Sequence, residues 1–349
     1  MTITKQEKVR DGVEKKLRNR SRRRTPWDEK EERTPMQEFL YQQYKDNYER
    51  CHPALTETGE ADLINSFIPE VCPYCLGKGF KRYGKTHNGV QRYQCQLCGQ
   101  TFSPITKTIF DGHKISISEW IDYILNILRY VSISADSWNN RNAITTSRYW
   151  LEKLFLVLEE YQKGIQLSGR IWFDETYYQV RNEDIAYTPS GEQLRGLSSN
   201  QMCIGVACDE NNILCIYEGF GKPSQKKTHL AFKDHIIKGS ALVHDKDNAH
   251  KKLIVELELD DESYDSRTLK KLADIDNPLN RVNRIHALLK VFLNAHNSFD
   301  RNKLQGYLDL FTFAMNPPTN NLQKVEILLN LAFHTPKSLK YRDFYHANQ

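Results

Sequence analysis

The sequence contains no long hydrophobic run. None of its apolar stretches approaches the roughly 20 residues that a membrane-spanning helix needs. The opening segment MTITKQEKVRDG also lacks the apolar core of a secretory signal. Apolar residues make up 39% and charged residues 27% of the 349-residue chain, a balance typical of soluble proteins. These absences exclude a membrane protein and predict a cytoplasmic one.

The cysteines follow a metal-binding pattern. Eight cysteines in a chain without a leader predict metal ligands or free thiols rather than disulfides. Four of them form two CxxC pairs that can supply four thiolates to one tetrahedral structural Zn2+, namely Cys72, Cys75, Cys95 and Cys98. A redox or unpaired set of cysteines is the alternative.

Basic and aromatic residues lie between the two CxxC pairs, among them Lys81, Arg82 and Tyr83. They predict a zinc ribbon that contacts DNA, with a protein partner as the alternative. Residues 5–24 add ten Lys and Arg against three acids. This arm is either a phosphate-binding segment or a solvated tail.

The chain divides into five sections without an internal repeat. We predict a basic, loosely ordered region at 1–66, the ribbon at 67–104, a helical segment at 105–165, a catalytic core at 166–318 and a helical tail at 319–349. A Ser- and Asn-rich stretch at 132–141 precedes a second helical pattern that opens near Thr145. The helical segment is therefore either a helix-turn-helix or an ordinary helical linker.

From residue 168 the periodicity changes to that of an α/β domain. The predicted elements are a strand at 169–180, a hairpin of 202–208 and 213–218, a helix at 226–237, a strand at 241–244 and helices at 282–295 and 301–315. This order predicts an antiparallel meander followed by a crossover strand.

Two apolar runs in this region each end on an aspartate, Asp174 and Asp245. A single such aspartate is often a turn or cap residue. Two of them on neighbouring strands favour a site for hard cations, which prefer oxygen ligands. Glu175 and Asp247 are the neighbouring alternatives.

A later helix carries Asn283, His286 and Lys290, whose spacing places them on one face. An asparagine stands where a third carboxylate is expected, and its carbonyl oxygen can ligate magnesium without adding charge. Lys290 can hold a phosphate as a point charge. A solvated polar face is the alternative.

Four segments together resemble bacterial insertion-sequence transposases. They are the DETYY box from Asp174, the segment from Asp245 to His250, the N-x-x-N-x-x-H-x-x-x-K helix and residues 305–311. The resemblance covers roughly residues 67–318, and the subgroup it fits has a zinc ribbon before an RNase H-like catalytic core. It implies an α/β fold with an RNase H-like mixed sheet flanked by helices, preceded by the ribbon and the helical segment.

The resemblance also implies a catalytic set and an activity. Two aspartates, an Asn or Glu, and a Lys seven residues later correspond to Asp174, Asp245, Asn283 and Lys290, with His286 on the same helix face. The first three would bind Mg2+ or Mn2+. The implied activity is that of a DNA transposase, which performs metal-dependent strand cleavage and strand transfer at transposon ends.

The expected partners are double-stranded DNA, as terminal repeats and target, and further copies of the chain in a homo-oligomer on the bacterial nucleoid. Two other functions stay open. One is a non-catalytic zinc-ribbon DNA-binding protein or an inactive transposase relic, which the asparagine favours. The other is an RNase H-like nuclease without strand transfer, which would differ in its products.

Overall fold

A computed structural model of the chain describes residues 34–36, 38–40, 42–43, 60–112, 116–140, 142–296 and 299–347. The basic arm at 5–24 lies outside the described residues. The chain forms two compact units, residues 1–154 together with 325–349, and residues 155–324. In the described ranges, every helix is too short or too polar to span a membrane.

The first unit begins with a short helix and a small sheet. Helix α1 (Glu60–Ser66) precedes β1 (Phe80–Lys85), β2 (Gln91–Cys95) and β3 (Thr101–Phe102), which form an antiparallel sheet in the order β1-β2-β3. Cys72, Tyr93, Cys95 and Phe102 are its buried core. Such a small core needs a further source of stability, and the two CxxC pairs flank this sheet.

Three helices follow in the chain, α2 (Ile117–Leu128), α3 (Ile133–Asn139) and α4 (Ile144–Lys163), whose residues from 155 on belong to the second unit. Trp120 of α2 stacks on Trp150 of α4 with ring centroids 5.0 Å apart. The C-terminal helices α10 (Asn321–His334) and α11 (Tyr341–Ala347) come last in the chain. Phe333 of α10 stacks on Phe67 at 3.9 Å, which joins the chain's last helices to its ribbon region.

The second unit is built on a five-stranded mixed sheet. Its strands are β4 (Arg170–Gln179), β5 (Gln201–Cys208), β6 (Ile213–Phe220), β7 (Ala241–Asp245) and β8 (Asp260–Tyr264), in the order β6-β5-β4-β7-β8. β4, β5 and β6 are antiparallel neighbours, whereas β7 pairs in parallel with both β4 and β8. The antiparallel meander and the crossover strand are therefore confirmed.

The remaining helices of this unit are α5 (Gln225–Phe232), α6 (Lys251–Glu256), α7 (Ser266–Leu269), α8 (Asn280–Ala295) and α9 (Leu304–Met315). Phe232 of α5 packs on Phe173, at 4.7 Å between ring centroids. The Tyr178 hydroxyl donates to the Leu293 carbonyl of α8. Because Phe173 and Tyr178 are an odd number of residues apart, they point to opposite faces, and both faces of the sheet carry helices.

Three elements differ from the sequence prediction. Strand β8 is new, because its acidic sequence DDESY carries no apolar alternation. Helix α3 occupies the Ser- and Asn-rich stretch and starts at Ser132, whose side chain accepts from the Ala135 N–H. Helix α5 ends five residues early, since Ile236 pairs with Leu167 as a β-bridge.

The expected fold class is confirmed. A strand order with three antiparallel strands on one side and two parallel strands on the other is the RNase H-like arrangement. The three-stranded sheet and the helical segment precede it in the chain.

Candidate metal sites and nucleic-acid surface

The four paired cysteines converge on one point. Cys72 Sγ lies 3.7 Å from Cys98 Sγ, and Cys75 Sγ lies 3.6 Å from Cys95 Sγ. All four sulfur atoms lie within 4.8 Å of one another. Sulfur atoms around a tetrahedral ion with Zn–S bonds of about 2.3 Å are about 3.8 Å apart. The four thiols are therefore placed to hold one metal ion.

Local backbone geometry prepares these thiols. After each CxxC pair the chain turns through a left-handed residue, Leu76 with φ 60° and Gly99 with φ 73°. The N–H groups of Cys98 and Leu97 point at Cys95 Sγ from 3.5 and 3.4 Å. They lower the pKa of the Cys95 thiol to about 7, which favours the thiolate that a metal requires.

The ribbon presents a basic edge. From Lys81 to Lys85 every residue of β1 is exposed. The Arg92 guanidinium lies over the Tyr83 ring at 5.5 Å. Exposed cations beside an exposed aromatic ring suit a phosphate backbone.

The helical segment is held by a buried polar network. Asp136 of α3 accepts hydrogen bonds from Asn126 of α2, from Asn140 and from the Ser147 hydroxyl of α4. A four-residue turn separates α3 from α4, and Thr145 and Arg148 on the first turns of α4 are exposed. This arrangement has the spacing of a helix-turn-helix.

Asp174 and Asp245 lie side by side in the second unit. Strands β4 and β7 are parallel, with Trp172 opposite Val243, and continuing this register places Asp174 beside Asp245 on the same face. Asp245 is the last residue of β7, whereas β4 runs on to Gln179, paired with β5. Asp174 therefore lies inside β4. It is accessible because its neighbour β7 ends beside it, at Asp245.

The two carboxylates repel one another. Burial, the charge of Asp245 and then that of Glu175 raise the pKa of Asp174 to about 8. Two half-buried acids in this arrangement are destabilising unless a cation or a proton lies between them. Oxygen ligands of this kind suit Mg2+ or Mn2+.

Helix α8 brings part of its polar face to this pair. The buried His286 ring interacts with the backbone of Asp174, and burial lowers its pKa to about 4. Its Nε2 atom has no hydrogen-bond partner among the described residues. Lys290 lies close enough to His286 to depress its pKa further. Asn283 is exposed, and its side chain forms no hydrogen bond to the described part of the chain.

A polar chain that the sequence did not predict begins at Glu175, the neighbour of Asp174, and runs through two histidines to Asp261. Its three links are His244 Nε2 to Asp261 Oδ1 at 3.0 Å, His244 Nδ1 to His250 Nδ1 at 2.8 Å and His250 Nε2 to Glu175 Oε1 at 3.0 Å. His244 and His250 are buried. The signal was present in the resemblance, which includes His250, but only the parallel pairing of β7 with β8 brings Asp261 into reach.

The three contacts of this polar chain need a third hydrogen or, in its place, a cation. Three hydrogen bonds require three hydrogens, and two neutral imidazoles supply only two. Burial lowers the pKa of His250 to about 4 and also lowers that of His244. Burial, followed by the charges of Asp247 and Asp245, raises the pKa of Glu175 to about 8. In the metal-free chain, Glu175 is therefore the group that holds the third hydrogen.

No protein-family model matches the chain, and no curated protein is significantly similar to it. Among solved structures, the chain is similar to one in a crystal structure of a pre-cleavage Mos1 transpososome, at 10% identity and a TM-score of 0.21. The match covers 62% of this chain and 79% of that one. A TM-score this low supports no conclusion on function.

Proposed function

We propose that the chain is a metal-dependent DNA transposase that cleaves and joins DNA strands at the ends of an insertion sequence. The observation that carries the proposal is the Asp174–Asp245 pair at the open end of β7 in an RNase H-like sheet. Two half-buried carboxylates that repel one another are a suitable donor set for a divalent cation. Bound Mg2+ or Mn2+ would polarise the phosphate and supply the nucleophilic hydroxide or alkoxide.

The residues of α8 have distinct roles in this proposal. Asn283 would add a neutral carbonyl ligand at the exposed side of the site. Lys290 would hold a phosphate oxygen through its ammonium group. The buried His286 would fix α8 against the Asp174 backbone.

The first unit would bind the DNA. Zn2+ on Cys72, Cys75, Cys95 and Cys98 would fold the ribbon, whose exposed β1 cations would contact phosphates. Thr145 and Arg148 on α4 would approach the same duplex as a helix-turn-helix. Because strand transfer joins two transposon ends, we expect a homo-oligomer on DNA.

The direct test uses DNA that carries the inverted repeats flanking the gene. The parent should nick this DNA with Mg2+ or Mn2+ and join the ends to a target. Asp174→Asn and Asp245→Asn should each abolish nicking while DNA binding is kept. Asp260→Asn, at the start of β8 and exposed, is the matched control and should cleave normally.

Other outcomes identify the rival functions. DNA binding without cleavage by the parent indicates a DNA-binding protein or a relic. Cleavage without joined products indicates a nuclease. Parent-like cleavage by both aspartate variants would show that the site assignment is wrong. Asn283→Asp tests the third ligand, because the added charge should change the ratio of Mg2+- to Mn2+-supported activity.

A further inference from the structure

His244 and His250 face each other through the same ring atom. Their Nδ1 atoms are 2.8 Å apart, and 3% of His244 and 0% of His250 is exposed. His244 belongs to β7 and His250 to the turn that follows it, so both rings are held by backbone on either side of Asp245. The ligand atoms of His244, Asp245 and His250 all lie within 4.8 Å of one another.

The opposite ring atom of each histidine contacts a carboxylate. His244 Nε2 lies 3.0 Å from Asp261 Oδ1, and His250 Nε2 lies 3.0 Å from Glu175 Oε1. When both carboxylates are ionised they only accept hydrogen bonds, and each Nε2 then carries the hydrogen. That assignment leaves an Nδ1 lone pair on each ring, with the two Nδ1 atoms 2.8 Å apart.

Two nitrogen lone pairs this close repel one another unless a hydrogen or a metal ion is bound to them. The pattern of an imidazole that donates one N–H to a carboxylate and turns its other nitrogen inward is that of metal-ligating histidines. Here it occurs twice, on two buried rings, with a third potential ligand in Asp245. Metal–nitrogen bonds of about 2.0–2.1 Å at right angles place two nitrogens about 2.9 Å apart, close to the observed separation.

We propose that His244, Asp245 and His250 form a transition-metal site, with Nδ1 of each histidine and the Asp245 carboxylate as ligands. Asp261 and Glu175 fix the two rings through their Nε2 hydrogens. The metal ion takes the place of the third hydrogen of the polar chain.

The ligand set selects the class of metal. Two imidazole nitrogens favour Co2+ and Zn2+ over Mg2+ and Mn2+, which suit oxygen ligands. Asp174 is not one of these ligands. The site therefore differs from the Asp174–Asp245 pair, although it shares Asp245 with it.

The inference concerns metal binding by the chain alone and does not need the proposed transposase activity. Its test is a Co2+ titration of the zinc-loaded full chain without DNA. Calorimetry and visible absorption measure the binding during the titration. Nitrogen- and oxygen-bound Co2+ absorbs weakly in the visible range, whereas Co2+ that replaced zinc in the ribbon would show strong thiolate absorption. We expect weak bands that include one Co2+ per chain whose binding depends on the two histidines.

The variants identify the ligands. His244→Gln and His250→Gln should each lose this Co2+, whereas Asp174→Asn should keep it. The Asp261 side chain is half exposed, so Asp261→Asn should fold normally. This substitution should weaken Co2+ binding by about 10–100-fold. His87→Gln, an exposed histidine of the ribbon region, is the matched control and should bind like the parent.

Parent-like Co2+ affinity in the two histidine variants, or no Co2+ binding by the parent, would overturn the proposal and leave the cluster as a hydrogen-bonded brace. Unchanged affinity in a folded Asp261→Asn chain would contradict the role of its carboxylate. Histidine-dependent Co2+ binding by a chain that never cleaves DNA would keep this site and reject the proposed function.

Discussion

The ribbon and the sheet edge hold their candidate metal ligands in opposite ways. Cys72 and Cys98, the outermost ribbon ligands, are 26 residues apart, and two tight turns place all four thiols. Asp174 and Asp245 meet only because β4 and β7 are parallel neighbours in a sheet that also includes β5, β6 and β8. One site is organised by local turns, and the other by tertiary pairing.

This difference has an energetic consequence. The ribbon has a small buried core, so a metal ion held by its four thiols would supply much of its folding free energy. The sheet has an extensive apolar core that includes Ile171, Phe173 and Leu242, and it can hold repelling acids together before any metal binds. The ribbon should collapse without metal, whereas the sheet edge should persist.

The largest expected effect is the loss of ribbon zinc. Cys98→Ser should release the metal and unfold β1–β3, because structural zinc binding contributes about 10–16 kcal/mol in small metal-dependent folds. Zinc content and hydrogen exchange of the β2 amides measure this. Cys203→Ala, a buried cysteine outside the cluster, should keep its zinc. A Cys98→Ser chain with bound zinc and protected β2 amides would contradict metal-led folding.

The next effect concerns pH and the sheet edge. Asp174 binds its proton more tightly when folded, with a pKa of about 8 against 3.8. Its contribution to stability is therefore fully present below about pH 4 and is lost as the pH rises through about 8. Asp174→Asn should remove this loss and raise the free energy of unfolding by roughly 1–3 kcal/mol at about pH 9.

Urea unfolding of the zinc-loaded chain, without other divalent metal, measures this pH dependence. The exposed Asp260→Asn variant should keep the slope of the parent. An equally steep loss of stability in Asp174→Asn would show that the aspartate pair is not strained.

A smaller effect concerns the close packing of the sheet at Gly205. A Cβ at Gly205 would lie 2.6 Å from Phe232 Cε2 and would also meet the Glu218 carboxylate. Gly205→Ala should therefore cost roughly 1–3 kcal/mol by overpacking. Gly164→Ala meets only ordinary contacts and should be close to neutral. Equal unfolding free energies for the two variants would indicate that the side chains around β5 rearrange at little cost to accommodate the added methyl group.

The smallest expected effect is local to the ribbon. Gly99 and Leu76 both adopt left-handed backbone after a CxxC pair, with open space at the Gly99 Cβ position. Gly99→Ala should weaken zinc binding and Leu76→Gly should strengthen it, each by about 1 kcal/mol or roughly fivefold to tenfold. Competition with a chelator measures both. Changes in zinc affinity opposite to these would show that backbone strain in the two turns does not limit zinc binding by the ribbon.

Sequence reasoning predicted the elements that have a strong local signal. The CxxC pairs, the hairpin across Asp209–Asn212 and the helix predicted at 282–295 all carry spacing or turn residues that specify local geometry. It missed β8, whose acidic residues become a strand only by pairing with β7. It also missed the role of His244. The partners of that ring are His250, in the turn before α6, and Asp261 of β8.

The roles of the individual site residues remain predictions. The structure brings Asp174, Asp245 and His286 together, with Lys290 near His286. Asn283 lies on the same helix but is exposed and without a side-chain hydrogen bond to the described residues. Only metal binding and cleavage by the variants above can assign these roles.

The sequence by itself determined the cysteine cluster, because two short turns place each CxxC pair and the β1–β2 hairpin that joins the pairs is local in the chain. It also determined that the two aspartates follow apolar strands. Only the tertiary structure decided that these aspartates are neighbours and that β8 completes the sheet. It alone placed two buried histidines nitrogen to nitrogen beside Asp245. Pairing between distant strands depends on the packing of the whole core, which no local spacing encodes.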